Sequence, residues 1–388
     1  MRSNGMSDPQ RILIVNPFGI GDVLFSTPLI RAVRRTFPAA SIAYLCNRRT
    51  QEILRRNPHL DELFIYEKDE LVRLSESHRM LAVLDILRLL HRIRRRRFEI
   101  VIDLSLGERY GFLLAALGVR RRIGFNFRRR GRFLTHRIAI EGYTQRHVVT
   151  YYATLLGQIG IRLLDETFEL DLLKEDRDDV SRWLGLLGLR DGRRMIGLVP
   201  AGGISWGIQA NFRRWSQEGF IEVGRALSER YDATVLVFGE PKDAPVCRDI
   251  ARAIGPRAVD MSGKTTMGQF VGLIGCCDLV ISNDGGPVHI AASQRIPTVS
   301  IFGPVDPVVY GPHPKTGEHR TVYNAGLPCR PCYHQFKLPP CPYERACLRT
   351  IEPEDVLGVC RELLEQRRGA SPAAVSAPAL AGAEELVS

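Results

Sequence analysis

Between Asp278 and Phe302 the chain spells out one complete strand–helix–strand unit. Asp278–Ile281 is a short apolar run with β-branched residues, the pattern of a buried parallel strand. It runs into Asn283-Asp284-Gly285-Gly286, where glycine permits positive φ and close approach of the backbone to a ligand. Pro287 suits the first turn of a helix carrying Val288, His289, Ile290, Ala291 and Ala292. A second apolar strand, Thr298–Phe302, follows and stops at Gly303-Pro304. The unit puts a helix N-terminus, flanked by an acid and an imidazole, at the carboxyl edge of a parallel sheet. That is where α/β proteins bind phosphorylated ligands.

The same alternation runs along the rest of the chain. Arg11–Asn16 reads as a strand, Asp22–Phe37 as a helix with Val23, Leu24, Leu29, Ile30 and Val33 at helical spacing, and Ser41–Cys46, Leu63–Tyr66 and Ile100–Leu104 as further strands. After a polar stretch near Glu166–Asp179 the pattern restarts with a strand at Met195–Pro200, a helix at Trp215–Arg230, a strand at Thr234–Phe238 and a helix at Pro245–Ile254. Two consecutive runs of βαβ units predict an α/β protein of two doubly wound domains. With 388 residues there is chain enough for two full cores. The expected divisions are 10–175, 176–352, a final helix at 353–367 and a tail at 368–388, rich in Ala, Ser and Pro, that is expected to be disordered.

The formal net charge of +11 gathers in His91–Arg97, Arg120–Arg122 and Arg128–Arg132. Such clusters suit anionic lipid, phosphorylated glycan or nucleic acid, and equally a merely solvated basic face. Arg79–Arg97 sets Met80, Leu81, Leu84, Leu87 and Leu90 along a helix that ends in four consecutive arginines. Its leucines are expected to pack on the first sheet, leaving the arginines for headgroups or a phosphorylated acceptor. No apolar run approaches the length of a membrane span, and the first ten residues lack the apolar core of a secretory signal. A nucleic-acid-binding module would need aromatics interleaved with the basic residues, and Phe125, Phe127 and Phe133 meet that only weakly.

Asn16-Pro17-Phe18-Gly19-Ile20-Gly21-Asp22 superficially resembles a dinucleotide fingerprint. It lacks the third glycine, and the second strand ends in Cys46-Asn47 instead of an acid for the ribose, which argues against a nicotinamide enzyme. Asp22, beside two glycines at a helix start, is either a carboxylate stabilised by the helix dipole or a general base; spacing alone does not choose. Ser262-Gly263-Lys264-Thr265 ends like a phosphate loop, but Ala258 stands where that motif needs glycine. Cys329-x2-Cys332-x8-Cys341-x5-Cys347 has the look of a four-thiolate metal site, with structural zinc and free or paired thiols weighed evenly. Cys46, Cys247, Cys276, Cys277 and Cys360 read as small core residues.

Taken in order, Gly19-Ile20-Gly21-Asp22 with Thr27-Pro28, Arg213-Arg214-Trp215, Gly263-Lys264-Thr265, Asn283-Asp284-Gly285-Gly286-Pro287-Val288-His289 and Phe302-Gly303-Pro304 resemble glycosyltransferase family 9, the bacterial heptosyltransferases of lipopolysaccharide core assembly. The resemblance covers roughly residues 10–365, with Gly285 where the family more often has Thr. It implies the GT-B arrangement, two Rossmann-like domains facing a cleft, with acceptor on the first and sugar nucleotide on the second. It also implies inverting transfer with no catalytic metal or other cofactor. Carried over by residue, Asp22 corresponds to the general base, and Gly21 beside it falls on the acceptor side. Arg213 stands where the family often has a diphosphate-binding Lys. Asp243 falls near a ribose-binding acid, and Asp284, Gly285, Gly286, Pro287, Val288 and His289 match the donor loop.

Without a metal, the departing diphosphate needs backbone N–H groups and cations; Gly285–Val288 would supply the first, and Arg213, Lys264 with neighbouring Thr265, and His289 the second. Arg128, Arg129, Arg130 and Arg132, in the acceptor domain and in what reads as a mobile loop around Gly124, Asn126 and Gly131, are expected to hold an anionic acceptor. The leading expectation is therefore a cytoplasmic enzyme, peripheral at the inner face of the membrane, that moves a sugar onto a lipid-linked glycan, with ADP-heptose as the expected donor and no nucleic-acid partner. A sugar-nucleotide epimerase or hydrolase on the same fold is the rival enzyme, and a basic nucleic-acid-binding protein the rival from another class.

Overall fold

A computed structural model describes residues 9–67, 79–189, 192–315 and 318–369. Its strands form two six-stranded, wholly parallel sheets. The first contains β1 (Arg11–Val15), β2 (Ser41–Cys46), β3 (Glu62–Ile65), β4 (Ile100–Asp103), β5 (Arg121–Phe127) and β6 (His136–Ile140), in the order β3-β2-β1-β4-β5-β6. The second contains β7 (Met195–Val199), β8 (Thr234–Val237), β9 (Ala258–Asp260), β10 (Leu279–Asn283), β11 (Thr298–Ile301) and β12 (His319–Val322), in the order β12-β11-β10-β7-β8-β9. In both, the strand order reverses beside the first strand, and that switch point opens a crevice at the carboxyl ends of the strands. The expected α/β, two-Rossmann GT-B architecture is what the chain adopts.

Local chemistry explains most of the elements. β1, β7, β10 and β11 are buried almost end to end, as strands covered on both faces must be. The helix expected at Asp22–Phe37 is two helices, α1 (Ile20–Phe25) and α2 (Thr27–Thr36). Pro28 lies in the first turn of α2, where its missing N–H costs nothing but one continuous helix could not be maintained. α3 (Arg48–Leu54) is capped by Asn47, whose side chain accepts from Thr50 N–H. Along the first domain follow α4 (Arg79–Arg96), α5 (Glu108–Ala116) and α6 (Val148–Gly157).

Three expectations change. The polar stretch near Glu166–Asp179 runs into a helix, α7 (Lys174–Leu186), with Glu175 and Asp176 in its first turn where the helix dipole favours acids. Gly124 and Asn126 do not lie in a mobile loop: they are in β5, whose Ile123, Phe125 and Phe127 point into the core, and Gly131 N–H donates to Asn126 Oδ1 at 2.9 Å. The apolar residues of α4 pack on the sheet only in part: Leu89 and Ile93 join its core and Leu90 turns inward, whereas Leu81, Leu84 and Leu87 are exposed, with Met80 and Val83.

The second domain adds α8 (Gln217–Tyr231), α9 (Ala244–Ile254), α10 (Met267–Gly275), α11 (Gly286–Ser293), the short α12 (Pro307–Tyr310) and α13 (Ala346–Arg349), and the closing α14 (Pro353–Gly369). α14 belongs to this domain's core, because Val356, Leu357, Cys360, Leu363 and Leu364 are buried with Trp215, Phe220 and Leu227 of the preceding segment and α8. The tail from residue 370 lies outside the described residues.

Two devices fix the passage from the first domain to the second. Arg56 after α3 forms a bidentate pair with Asp176 of α7, both bonds 2.8 Å. A side chain at Gly268 of α10 would collide with that carboxylate, its Cβ falling 1.7 Å from Asp176 Oδ1. Arg31 of α2 reaches the 165–169 connection through Glu169 and two backbone carbonyls.

Candidate active site

The two switch points face each other across a cleft of about 1050 Å3. From the first domain comes the start of α1. Asn47 holds its approach by donating to the carbonyls of Pro17 (3.1 Å) and Phe18 (2.6 Å), and Asn16 Nδ2 donates to the Asp22 carbonyl at 3.1 Å. From the second comes the start of α11. Here Asn283 accepts from Trp215 N–H (2.8 Å) and donates to the Pro200 carbonyl (2.7 Å). The two helix starts nearly touch. A Cβ on Gly21 would stand 3.0 Å from the His289 ring, and one on Gly286 would stand 3.0 Å from Ile20. Glycine at both positions is what lets the helix N-termini come together.

Asp22 lines this cleft, half-buried, and desolvation by its neighbours pushes its carboxyl up to about 6 against the opposing pull of the Gly19 N–H and the Arg213 charge. Asp284 is treated differently. Arg213 Nε donates to Asp284 Oδ2 at 3.0 Å, and Arg213 Nη2 lies 2.5 Å from the same oxygen. Burial raises the Asp284 carboxyl while Arg213 lowers it. α11 takes no side-chain cap; its N-cap is Gly285, so Asp284 spends its carboxylate on Arg213 instead. The guanidinium is thereby fixed at the cleft with the helix N-terminus beside it, a ready anion site.

The remaining expected donor residues divide. Thr265, Gly285, Gly286, Pro287 and His289 line the cleft. Asp243 lines it too, but Arg214 holds one of its oxygens at 3.1 Å. Val288 is buried, with no surface toward the cleft. Lys264 turns away: its Nζ donates to the Asp260 carbonyl at 2.6 Å, leaving Gly263, at φ +67° and packed on Pro241, to shape the wall. His289 is not the cation it was expected to be. Burial, with Arg213 adding to it, pulls its pKa down to about 3, so the ring is neutral, packed against Phe25 at 4.6 Å.

None of the four acceptor arginines lines the cleft. Arg128 donates to Gln335 Oε1 at 2.9 Å, Arg132 pairs with Glu108 and lies over Phe133, Arg129 is exposed, and Arg130 borders a second cavity.

Several cleft residues carried no sequence signal. Tyr66 and Tyr110, edge to face at 5.8 Å, close the first-domain end. Tyr333, Phe336 and Lys337 arrive on the 323–345 loop, which Arg330 ties down through the carbonyls of Gly303, Asn324 and Val305. That loop also carries Cys329, Cys332 and Cys341, with Cys347 just beyond in α13. All four are free thiols, and among the described residues no three His, Cys, Asp or Glu side chains are placed to hold a metal ion.

Two Rossmann-like domains with a half-buried carboxylate on one and a helix N-terminus beside an arginine on the other are the arrangement of a GT-B glycosyltransferase. Residues 86–340 match the model of glycosyltransferase family 9 (heptosyltransferase), and the chain belongs to that family. It is 26% identical over 353 residues to lipopolysaccharide heptosyltransferase 3 of Escherichia coli K12, covering 89% of this chain and 96% of that one. In fold it resembles the E. coli ADP-heptose lps heptosyltransferase II (TM-score 0.71, 22% identity, 92% of this chain and 99% of that one). It also resembles the E. coli heptosyltransferase WaaC with ADP-2-deoxy-2-fluoro heptose (TM-score 0.62, 15% identity, 92% and 99%).

Proposed function

We propose that this glycosyltransferase transfers heptose from ADP-heptose to an anionic, lipid-linked glycan of the lipopolysaccharide core, with inversion at the sugar carbon and without a catalytic metal, from the cytoplasmic side of the inner membrane. The observation that carries the reading is the opposition of Asp22 to the Arg213–Asp284 pair across one cleft. The names of the relatives support the sugar, since a lipopolysaccharide heptosyltransferase is similar along nearly its whole length, and the ADP-heptose named for a solved structure of like fold supports the nucleotide.

The chemistry follows from the side chains. An acceptor hydroxyl placed at Asp22 gives its proton to the carboxylate as the oxygen forms its bond to the sugar's anomeric carbon. The bond from that carbon to the diphosphate oxygen breaks, and its electron pair leaves with the nucleoside diphosphate. The charge growing there meets the Arg213 guanidinium and the backbone N–H groups at the start of α11, which are held in place beforehand. Asp22, its carboxyl raised to about 6, is mostly ionised at neutral pH, which suits a base.

The test is transfer assayed with a panel of nucleoside diphosphate sugars, with and without excess chelator. Turnover of ADP-heptose that persists in chelator is the expected result. Preference for another donor would overturn the sugar assignment. Loss of activity in chelator, restored by magnesium or manganese with an unchanged circular dichroism spectrum, would overturn the metal-free mechanism. Donor turnover without any acceptor would favour the rival epimerase or hydrolase reading.

A further inference from the structure

The helix α4 has two apolar faces, and only one of them is used inside the protein. Ile86, Leu90 and Ile93 turn inward, where they roof a cavity of about 570 Å3 walled by Leu113 and Leu117 of the α5 segment. On the other face Met80, Leu84 and Leu87 recur at i, i+4 and i+7, joined by Val83 and Leu81. Met80, Leu81, Val83 and Leu87 leave half or more of their surface in solvent, Met80 as much as 78%. Phe112 of α5 adds a further ring, 52% exposed. Clustered exposure of this kind is uncommon on a soluble surface unless something covers it.

Charge tells what covers it. The exposed stripe continues along the same face to His91 at i+11 and Arg94 at i+14, with Arg95 beside them and Arg88 paired to Asp85, all exposed. Arg92 and Arg96, by contrast, are turned to Glu62 of β3. An apolar stripe of methionine and leucine bordered by unburied arginines matches the boundary between acyl chains and anionic headgroups. The cavity beneath is apolar, has Arg109 and Arg130 on its border, and shares Tyr66 and Tyr110 with the catalytic cleft.

We propose that the exposed face of α4, with Phe112, docks the enzyme on an anionic phospholipid bilayer, and that the adjoining cavity receives an acyl chain from it. The tyrosine pair then sets the cleft next to the bilayer surface, where a lipid-linked acceptor presents its sugar. This takes up the acceptor side of the function proposed above, and the measurement separates the two.

The full chain is sedimented with vesicles of phosphatidylcholine alone or mixed with phosphatidylglycerol. Wild type is expected to bind the anionic vesicles and lose them as salt rises. Met80→Ser/Leu84→Ser/Leu87→Ser should weaken that binding about tenfold or more, since each lost side chain no longer enters the apolar layer. Arg94→Ala/Arg95→Ala should weaken it less and flatten its salt dependence. Both variants should keep wild-type transfer to a soluble, deacylated acceptor, which certifies their folding. Equal binding to neutral and anionic vesicles, unchanged binding by the triple variant, or binding of the lipid-linked acceptor alone would each overturn the docking surface. Vesicle binding by a wild-type chain that transfers no heptose would uphold the surface while sinking the donor reading.

Discussion

The two helix starts that meet in the cleft look alike in sequence. Each follows a buried strand, each is glycine-rich, and each carries an aspartate that the fold shields from solvent, Asp284 fully and Asp22 in part. Their aspartates nevertheless have opposite fates. Asp284 lies in bonding contact with Arg213 and has become the anchor of a cation. Asp22 feels the same arginine only through its field, and its carboxyl sits near 6. Desolvation raises both carboxyls, but at Asp284 a bonded guanidinium opposes it, whereas Asp22 has only backbone N–H groups and the distant charge. In the proposed mechanism the same kind of element would supply both halves of the displacement.

The comparison breaks first at Asp22. Asp22→Asn keeps the shape and removes the proton acceptor, so transfer should fall by roughly 10²–10⁴ with donor affinity close to wild type. Single-turnover rates at saturating donor and acceptor, paired with calorimetric donor titration, check it. Arg213→Ala comes next, with a loss of about 10²–10³ in kcat from the unstabilised leaving group.

The same substitution sharpens the comparison through pH. In the proposed mechanism the ionised carboxylate is the active form, so kcat/KM of wild type should decline as pH falls through about 6. Arg213 lowers the Asp22 pKa, so its removal should move that acid limb to higher pH. A limb that stays in place would mean the two groups are uncoupled.

Asp284→Asn should act chiefly on stability. It leaves a mostly buried guanidinium without its carboxylate, at a cost of about 3–5 kcal/mol read from urea unfolding. Asp22→Asn should show no such penalty, because no ion pair is lost. The smallest effect belongs to Lys264→Ala. Its amine is half exposed and bonded to Asp260, so donor KM should change by less than about fivefold, within the range of a surface pair. A large rise in donor KM would place the amine in the cleft after all.

Much of this was readable in the chain because it is local. The strand at Leu279–Asn283, the double glycine and Pro287 define a helix start whatever surrounds them, and they lie within a few residues of one another. Strands β5 and β6 escaped notice because β5 begins and the β5–β6 connection runs in arginine clusters that mask the inward alternation of Ile123, Phe125 and Phe127. The break between α1 and α2 was signalled by Pro28 and passed over because the apolar spacing continues across it.

What the sequence determined by itself is the succession of βαβ units, their two glycine-rich helix starts and the family that those motifs mark. Those follow from backbone sterics and side-chain periodicity, which act over a turn of helix or a single strand. Only the tertiary structure decided which charges survive and where they point. Arg213 and Asp284 are 71 residues apart and meet because β7 and β10 are neighbours in the sheet. His289 loses its proton, Lys264 turns aside and α4 leaves Leu81, Leu84 and Leu87 in solvent for the same reason. Desolvation and pairing depend on what is packed within a few ångströms, and that is set by the whole fold.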